Sequence, residues 1–155
     1  MTLERKLAYQ LIAQGKTLSI AESCTGGLIS HRLTNIPGSS QFLKIGLITY
    51  SNEAKIKLLQ VPLNIIKRYG AVSPETVKIM AKNVRKIFKT HLGLSITGIA
   101  GPTGDSKQKP IGLTYIAVST SKKLYYKKFN FTGSRLEIKN LAATSALELL
   151  LKFSK

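Results

Sequence analysis

The chain has 155 residues, the length of one domain, enough to bury roughly two thirds of its unfolded surface in a single core. Hydrophobic residues at 43% against charged residues at 20% exclude a wholly disordered chain, and the single cysteine, Cys24, with only two histidines, excludes a disulfide framework and a zinc-ligand pattern. The 24 Lys+Arg against 7 Asp+Glu give a formal charge of +17, which raises a nucleic-acid or anionic-ligand partner.

The basic residues are scattered, in "KIKLLQ", "IIKRYG", "NVRKIFK" and "SKKLYYKKF", and form neither a long block nor an aromatic-rich RNA-binding strand. A solvated basic surface is the plainer reading, with nonspecific attraction to nucleic acid as its consequence. The start, "MTLERKLAYQLIAQG", mixes charges into its apolar residues and resembles no signal peptide. No apolar run reaches the ~20 residues of a membrane span. A cytoplasmic protein without membrane contact is expected.

In chain order, Leu3, Leu7, Leu11 and Ile12 fall at helical spacing, with Gly15 placed to end the helix. "KTLSIAES" predicts a strand with Leu18 and Ile20 on one face, and "GGLISHRL" opens a helix. "NIPGSS" is a turn, "FLKIGLITY" a buried strand, and "SNEAKIKLLQ" a helix capped by Ser51 or Asn52. Pro62 starts a short helix reaching Tyr69. Ser73 and Pro74 open the clearest helix, with Val77, Met80, Ala81, Val84 and Phe88 as its apolar stripe. "LGLSIT" is a strand, followed by the loop "GIAGPTGDSKQKP". "IGLTYIAVST" and "LYYKKFNFT" read as a hairpin turning at Ser121 to Lys123, and Ser134 with Glu137 forms the capping box of the last helix. Helices alternating with strands predict one α/β domain over residues 1–155, a mixed sheet covered by helices on both faces.

Ligands in such sheets gather at the carboxyl ends of strands, where "ESCTGG", "TYSNEAK", "TGIAGPTGDS" and "FTGSR" are expected to meet. "AESCTGG" sets Ser23, Cys24 and Thr25 side by side. A serine there can present its hydroxyl beside the free N–H groups of the next helix, and Gly26 and Gly27 let a ligand approach, but the same residues serve as ordinary caps. Cys24 reads as a small buried filler before it reads as a nucleophile, and neither His31 nor His91 is placed to complete a triad. A desolvated lysine can replace histidine as base. Tyr50 and Lys55 could face the same crevice, or could be a core-edge plug and a surface lysine. The Gly98 loop has the glycines of an anion-binding nest without the ending of a nucleoside-triphosphate loop, and Arg135 is either a phosphate partner or solvated.

Taken in order, "AESCTGG", "GSS", "TYSNEAK", "GAVSPETV", "SITGIAGPTG", "KPIG" and "FTGSR" resemble the CinA C-terminal family, in particular its stand-alone nicotinamide-nucleotide amidases, over residues 5 to 150. The resemblance implies a three-layer α/β/α sandwich, a homo-oligomer with a dimer favoured, no cofactor and no metal. It also implies hydrolysis of the carboxamide of nicotinamide mononucleotide to nicotinate mononucleotide and ammonia, within pyridine-nucleotide recycling. The catalytic serine then maps onto Ser23 and its lysine onto Lys55, with Tyr50 beside them as an orienting group or proton relay. Backbone N–H groups of Thr25, Gly26 and Gly27 become the oxyanion donors. Gly98, Ile99, Ala100, Gly101 and Pro102, with Ser39, Ser40, Lys109 and Arg135, surround the nucleotide. "GSR" departs from the family pattern, which has an acidic residue before the arginine. The amino-terminal domain of full-length CinA proteins has no counterpart here, so its second activity is not expected. The alternative is a catalytically silent relative acting as a basic nucleic-acid-associated module.

Overall fold

Six helices and five strands follow one another along the chain, and the computed structural model describes all of residues 1–155. The first helix, α1 (Leu3–Gln14), is capped by the Thr2 hydroxyl and ends at Gly15, whose φ of 62° supplies the left-handed turn that glycine adopts without strain. It leads into β1 (Leu18–Glu22), buried along its whole length. Next come α2 (Leu28–Thr34), a single 3₁₀ turn at Ser39–Gln41, and β2 (Leu43–Ile48). Three helices follow, α3 (Asn52–Leu59), α4 (Leu63–Tyr69) and α5 (Pro74–Ile87), then β3 (Leu92–Gly98). The chain closes with the hairpin β4 (Leu113–Ser119) and β5 (Leu124–Asn130) and the capping-box helix α6 (Arg135–Phe153).

The strands form one sheet in the order β2-β1-β3-β4-β5. β1 runs parallel to both β2 and β3, and β4 is antiparallel to β3 and to β5. The carboxyl ends of β1, β2, β3 and β5 therefore share one edge. Strand alternation divides the core. Leu18 and Ile20 pack with Leu7, Leu11, Ile29, Leu33 and the Ala142–Ala146 face of α6, while Ala21 turns to Leu59, Ile66, Met80 and Val84 on the other side. This is the expected three-layer α/β/α sandwich, with α1, α2 and α6 on one face and α3, α4 and α5 on the other. Close approach of α5 to the sheet depends on Gly93, where a Cβ would collide with the carbonyl oxygen of Ala81.

Two expectations change. β2 is an edge strand with one neighbour, so its residues alternate between half-buried and exposed instead of being buried throughout. Phe88 leaves the apolar stripe of α5: the helix ends at Ile87, and Phe88 is its C-cap, 37% exposed.

Candidate active site

β1 ends in a carboxylate that organises everything after it. Glu22 is fully buried, and its two oxygens accept from the Thr25 hydroxyl (2.6 Å), the Ser30 hydroxyl (2.7 Å) and the backbone N–H groups of Ile29 and Ser30 (both 3.0 Å). A charge so deeply placed is tolerable because four donors replace its water, two of them from the first turn of α2. The tie folds Ser23–Gly27 into a tight turn, in which the Gly26 N–H donates to the Ser23 carbonyl at 3.1 Å and Gly26 and Gly27 take φ of 60° and 101°. The N–H groups of Cys24, Thr25 and Gly27 find no acceptor within the chain.

Lys55 comes to Ser23 from the second layer. Ser51 caps α3 by accepting the Ala54 N–H at 3.0 Å, and one turn later Lys55 points inward, 1% exposed. Its Nζ lies 3.0 Å from Ser23 Oγ, 2.8 Å from the Thr49 carbonyl and 3.3 Å from the Tyr50 carbonyl. No carboxylate pairs with it. Burial lowers its pKa from 10.5 to about 8. Burial also pushes the Cys24 thiol up to about 12, so Cys24 stays a neutral thiol and supplies no counter-charge to the lysine. Two of the three partners of the amine are carbonyls, which only accept; Ser23 alone can donate to it. The ammonium form donates to all three, and the neutral form, with two hydrogens and one lone pair, donates to the carbonyls and can accept from Ser23.

A cavity of about 260 Å³ opens over this pair. Thr97 and Gly98 at the end of β3 form one wall, and Thr97 Oγ1 donates to the Ala71 carbonyl at 3.0 Å. Gly98 is constrained by its neighbours: a Cβ there would stand 2.7 Å from Thr114 Oγ1 and 3.2 Å from Cys24 Sγ. Ile99, Ala100 and Gly101 continue the wall. Arg135, the first residue of α6, closes it by donating from Nη1 to the Gly101 carbonyl at 2.6 Å and from Nη2 to the Tyr50 hydroxyl at 3.1 Å. The arginine is thus held without the acidic residue missing before it.

Of the residues named from sequence, Ser23, Lys55, Tyr50, Gly98, Ile99, Ala100, Gly101 and Arg135 meet at this cavity. Others do not. The Thr25 side chain is turned under the turn onto Glu22, and Gly26 and Gly27 lie outside the cavity wall. Pro102 is exposed and does not itself line the cavity, although Thr103 and Gly104 after it do, and Lys109 donates to the Tyr69 carbonyl behind the Ala71–Val72 wall. Ser39 and Ser40 precede β2, so the six residues of that strand, about 20 Å of extended chain, separate them from Tyr50. Tyr50 presents its carbonyl to Lys55 while its phenol turns to Arg135. No histidine lines the cavity: His91 stands at the opposite edge of the sheet and His31 on the α2 surface. Glu22, Thr97 and Lys139, whose amine lies beside Gly26, were not read from sequence. For Glu22 the signal was present, an acidic residue closing an otherwise uncharged strand just before a Gly-Gly turn. Lys139 stands one helical turn after Arg135.

The model of the CinA C-terminal domain matches residues 1–154. The chain belongs to that family. It is 48% identical over 149 residues to a CinA-like protein of Acidobacterium capsulatum and 49% identical over 149 residues to one of Endomicrobium trichonymphae, each alignment covering 96% of this chain. The chain spans about a third of the length of those relatives, 36% and 35% respectively. Among solved structures, the competence/damage inducible protein CihA from Agrobacterium tumefaciens superposes with a TM-score of 0.93 at 34% identity, covering 100% of this chain and 98% of that one. A competence or damage-inducible protein from Enterobacter asburiae gives 0.93 at 33% identity, covering 97% and 94%. The CinA sandwich is thus matched over its whole length.

Proposed function

We propose that this CinA domain is a nicotinamide-nucleotide amidase working through a Ser23–Lys55 dyad. The observation that carries the reading is the Lys55 amine, buried without an anion and hydrogen-bonded to Ser23 Oγ at 3.0 Å. Neutral Lys55 removes the hydroxyl proton as Oγ attacks the carboxamide carbon. The C–N bond then breaks, the proton passes from Lys55 to the leaving nitrogen, and ammonia departs, leaving an ester on Ser23. Water, deprotonated by the same amine, attacks that ester, the C–Oγ bond breaks, and the proton returns from Lys55 to Ser23 Oγ as the carboxylic acid product leaves and ionises. The unpartnered N–H groups of Cys24 and Thr25 are the candidates to hold the oxyanion, each worth on the order of 10² to 10³ in rate when correctly aimed. Arg135 at the rim suits the phosphate of the nucleotide.

The experiment is ammonia release from nicotinamide mononucleotide. Ser23→Ala and Lys55→Ala are each expected to remove most of kcat, and the double variant to be little worse than either, because the pair acts as a unit. Cys24→Ala keeps the chemistry. A folded Ser23→Ala enzyme with wild-type turnover overturns the reading.

A further inference from the structure

The opposite edge of the sheet, where β1 and β3 begin, carries a second cavity of about 410 Å³. Its walls come from Lys16 before β1, His91 before β3, the Thr120–Lys123 turn between β4 and β5, and the end of α6. Of its ten lining residues four are lysines and one is histidine, and none is Asp or Glu. The ion pairs of the chain are Arg32–Glu4 and Lys57–Glu53, so none of these lysine side chains is ion-paired.

Several of the groups are held in place. Lys16 Nζ is anchored on the Ser154 carbonyl at 2.7 Å. The Thr17 N–H donates to His91 Nδ1 at 3.0 Å, with Thr17 Oγ1 2.9 Å from the same nitrogen, which fixes the ring and leaves Nε2 without a partner in the chain. Thr120 Oγ1 accepts the N–H groups of Lys122 and Lys123 at 3.2 and 2.9 Å, tightening the turn that carries both side chains. Tyr125 stacks on Phe153 with ring centroids 3.8 Å apart and supplies a flat aromatic wall.

We propose that this cavity is an oligophosphate-binding site, taking a chain of linked phosphates either free or as part of a nucleoside triphosphate. Cations that converge on one hollow with imidazole and hydroxyl donors match an anion of several charges confined to a small volume. A polynucleotide would instead need its cations laid out along a groove. The site lies at the other end of the strands from Ser23 and does not depend on the amidase reading.

Isothermal titration at ~0.15 M salt with inorganic triphosphate and with ATP tests it. Both probes are expected to bind at a single site, Lys122→Ala/Lys123→Ala to weaken them by at least about tenfold, and His91→Gln by a smaller factor. Lys67→Ala/Lys82→Ala removes the same charge from exposed positions elsewhere and should bind like the wild type, as should Arg135→Ala. An advantage of ATP that disappears in Tyr125→Ala assigns a base to the aromatic wall; equal binding assigns the ligand to the phosphate chain alone. The proposal is overturned if neither probe binds, if the Lys67/Lys82 control loses as much as the site variant, or if Arg135→Ala loses binding, which would put the anion in the cavity over Ser23.

Discussion

Lys55 is costly to keep where it is, and the cost is measurable. Its pKa falls from 10.5 to about 8 on folding, so between those values the unfolded chain holds a proton that the folded chain has released. Stability then rises with pH across that window and is flat, with respect to this group, below about pH 8. Urea titrations of the wild type against Lys55→Met should show the wild type gaining up to about 3 kcal/mol relative to the variant as pH rises through the window. An unchanged difference would mean the amine is not desolvated. In the same protein kcat/KM should climb with pH to a plateau above about pH 8, since only the neutral amine accepts the Ser23 proton. Tyr50 makes a separate prediction. Because its phenol holds Arg135 while its carbonyl faces Lys55, Tyr50→Phe should raise KM for the nucleotide and leave kcat largely intact. Arg135→Ala should do the same more strongly, and neither should alter KM for the unphosphorylated riboside. A loss of kcat near the ~10² to 10⁴ of a proton-transfer group in Tyr50→Phe would restore the relay.

At the scale of elements, the site is a junction between β1 and α2 made by one side chain. Replacing Glu22 by Ala removes an acceptor from two hydroxyls and two helix N–H groups at once, with an expected cost of about 2–4 kcal/mol in denaturant stability. Activity should fall with it, because the Ser23–Gly27 turn loses its anchor. A Glu22→Ala protein of wild-type stability would show that packing of Ile29 and Leu33 alone fixes the turn. The strand, the Gly-Gly turn and the helix were legible from alternation and punctuation. The partner of the helix N–H groups was not, because a carboxylate inside a strand normally faces solvent and only the fold turns this one inward.

For the whole molecule, the charge is the open variable. Twenty-four basic residues face seven acidic ones, of which Glu22 is spent internally and two others form the ion pairs with Arg32 and Lys57. The remaining cations lie on every layer of the sandwich, so attraction to DNA or RNA should be weak, fall steeply with salt and show no sequence preference. Anisotropy titrations over a range of ionic strength would measure this. Tight, selective binding at ~0.15 M salt would favour the nucleic-acid module over the amidase.

Features that depend on near neighbours along the chain were legible in the residues alone. Helix boundaries at Gly15, Ser51, Ser73 and Ser134, the face shared by Leu18 and Ile20, and the hairpin at Ser121 follow from caps, periods and turns that act within a few residues. The convergence of four strand ends on one edge was also readable, since crossover helices between parallel strands leave few other arrangements. Packing of the layers sets which group of Tyr50 meets Lys55, that Ser39 and Ser40 stand a strand's length from the cavity, and that β2 is an edge strand. Those are distances between residues far apart in the chain, set by how the layers pack, and no local pattern encodes them. The state of Lys55 belongs to the same class. A lysine beside Lys57 on an amphipathic helix reads as solvated until packing closes over it, and it is that closure, removing water without supplying an anion, that lowers the pKa of the amine.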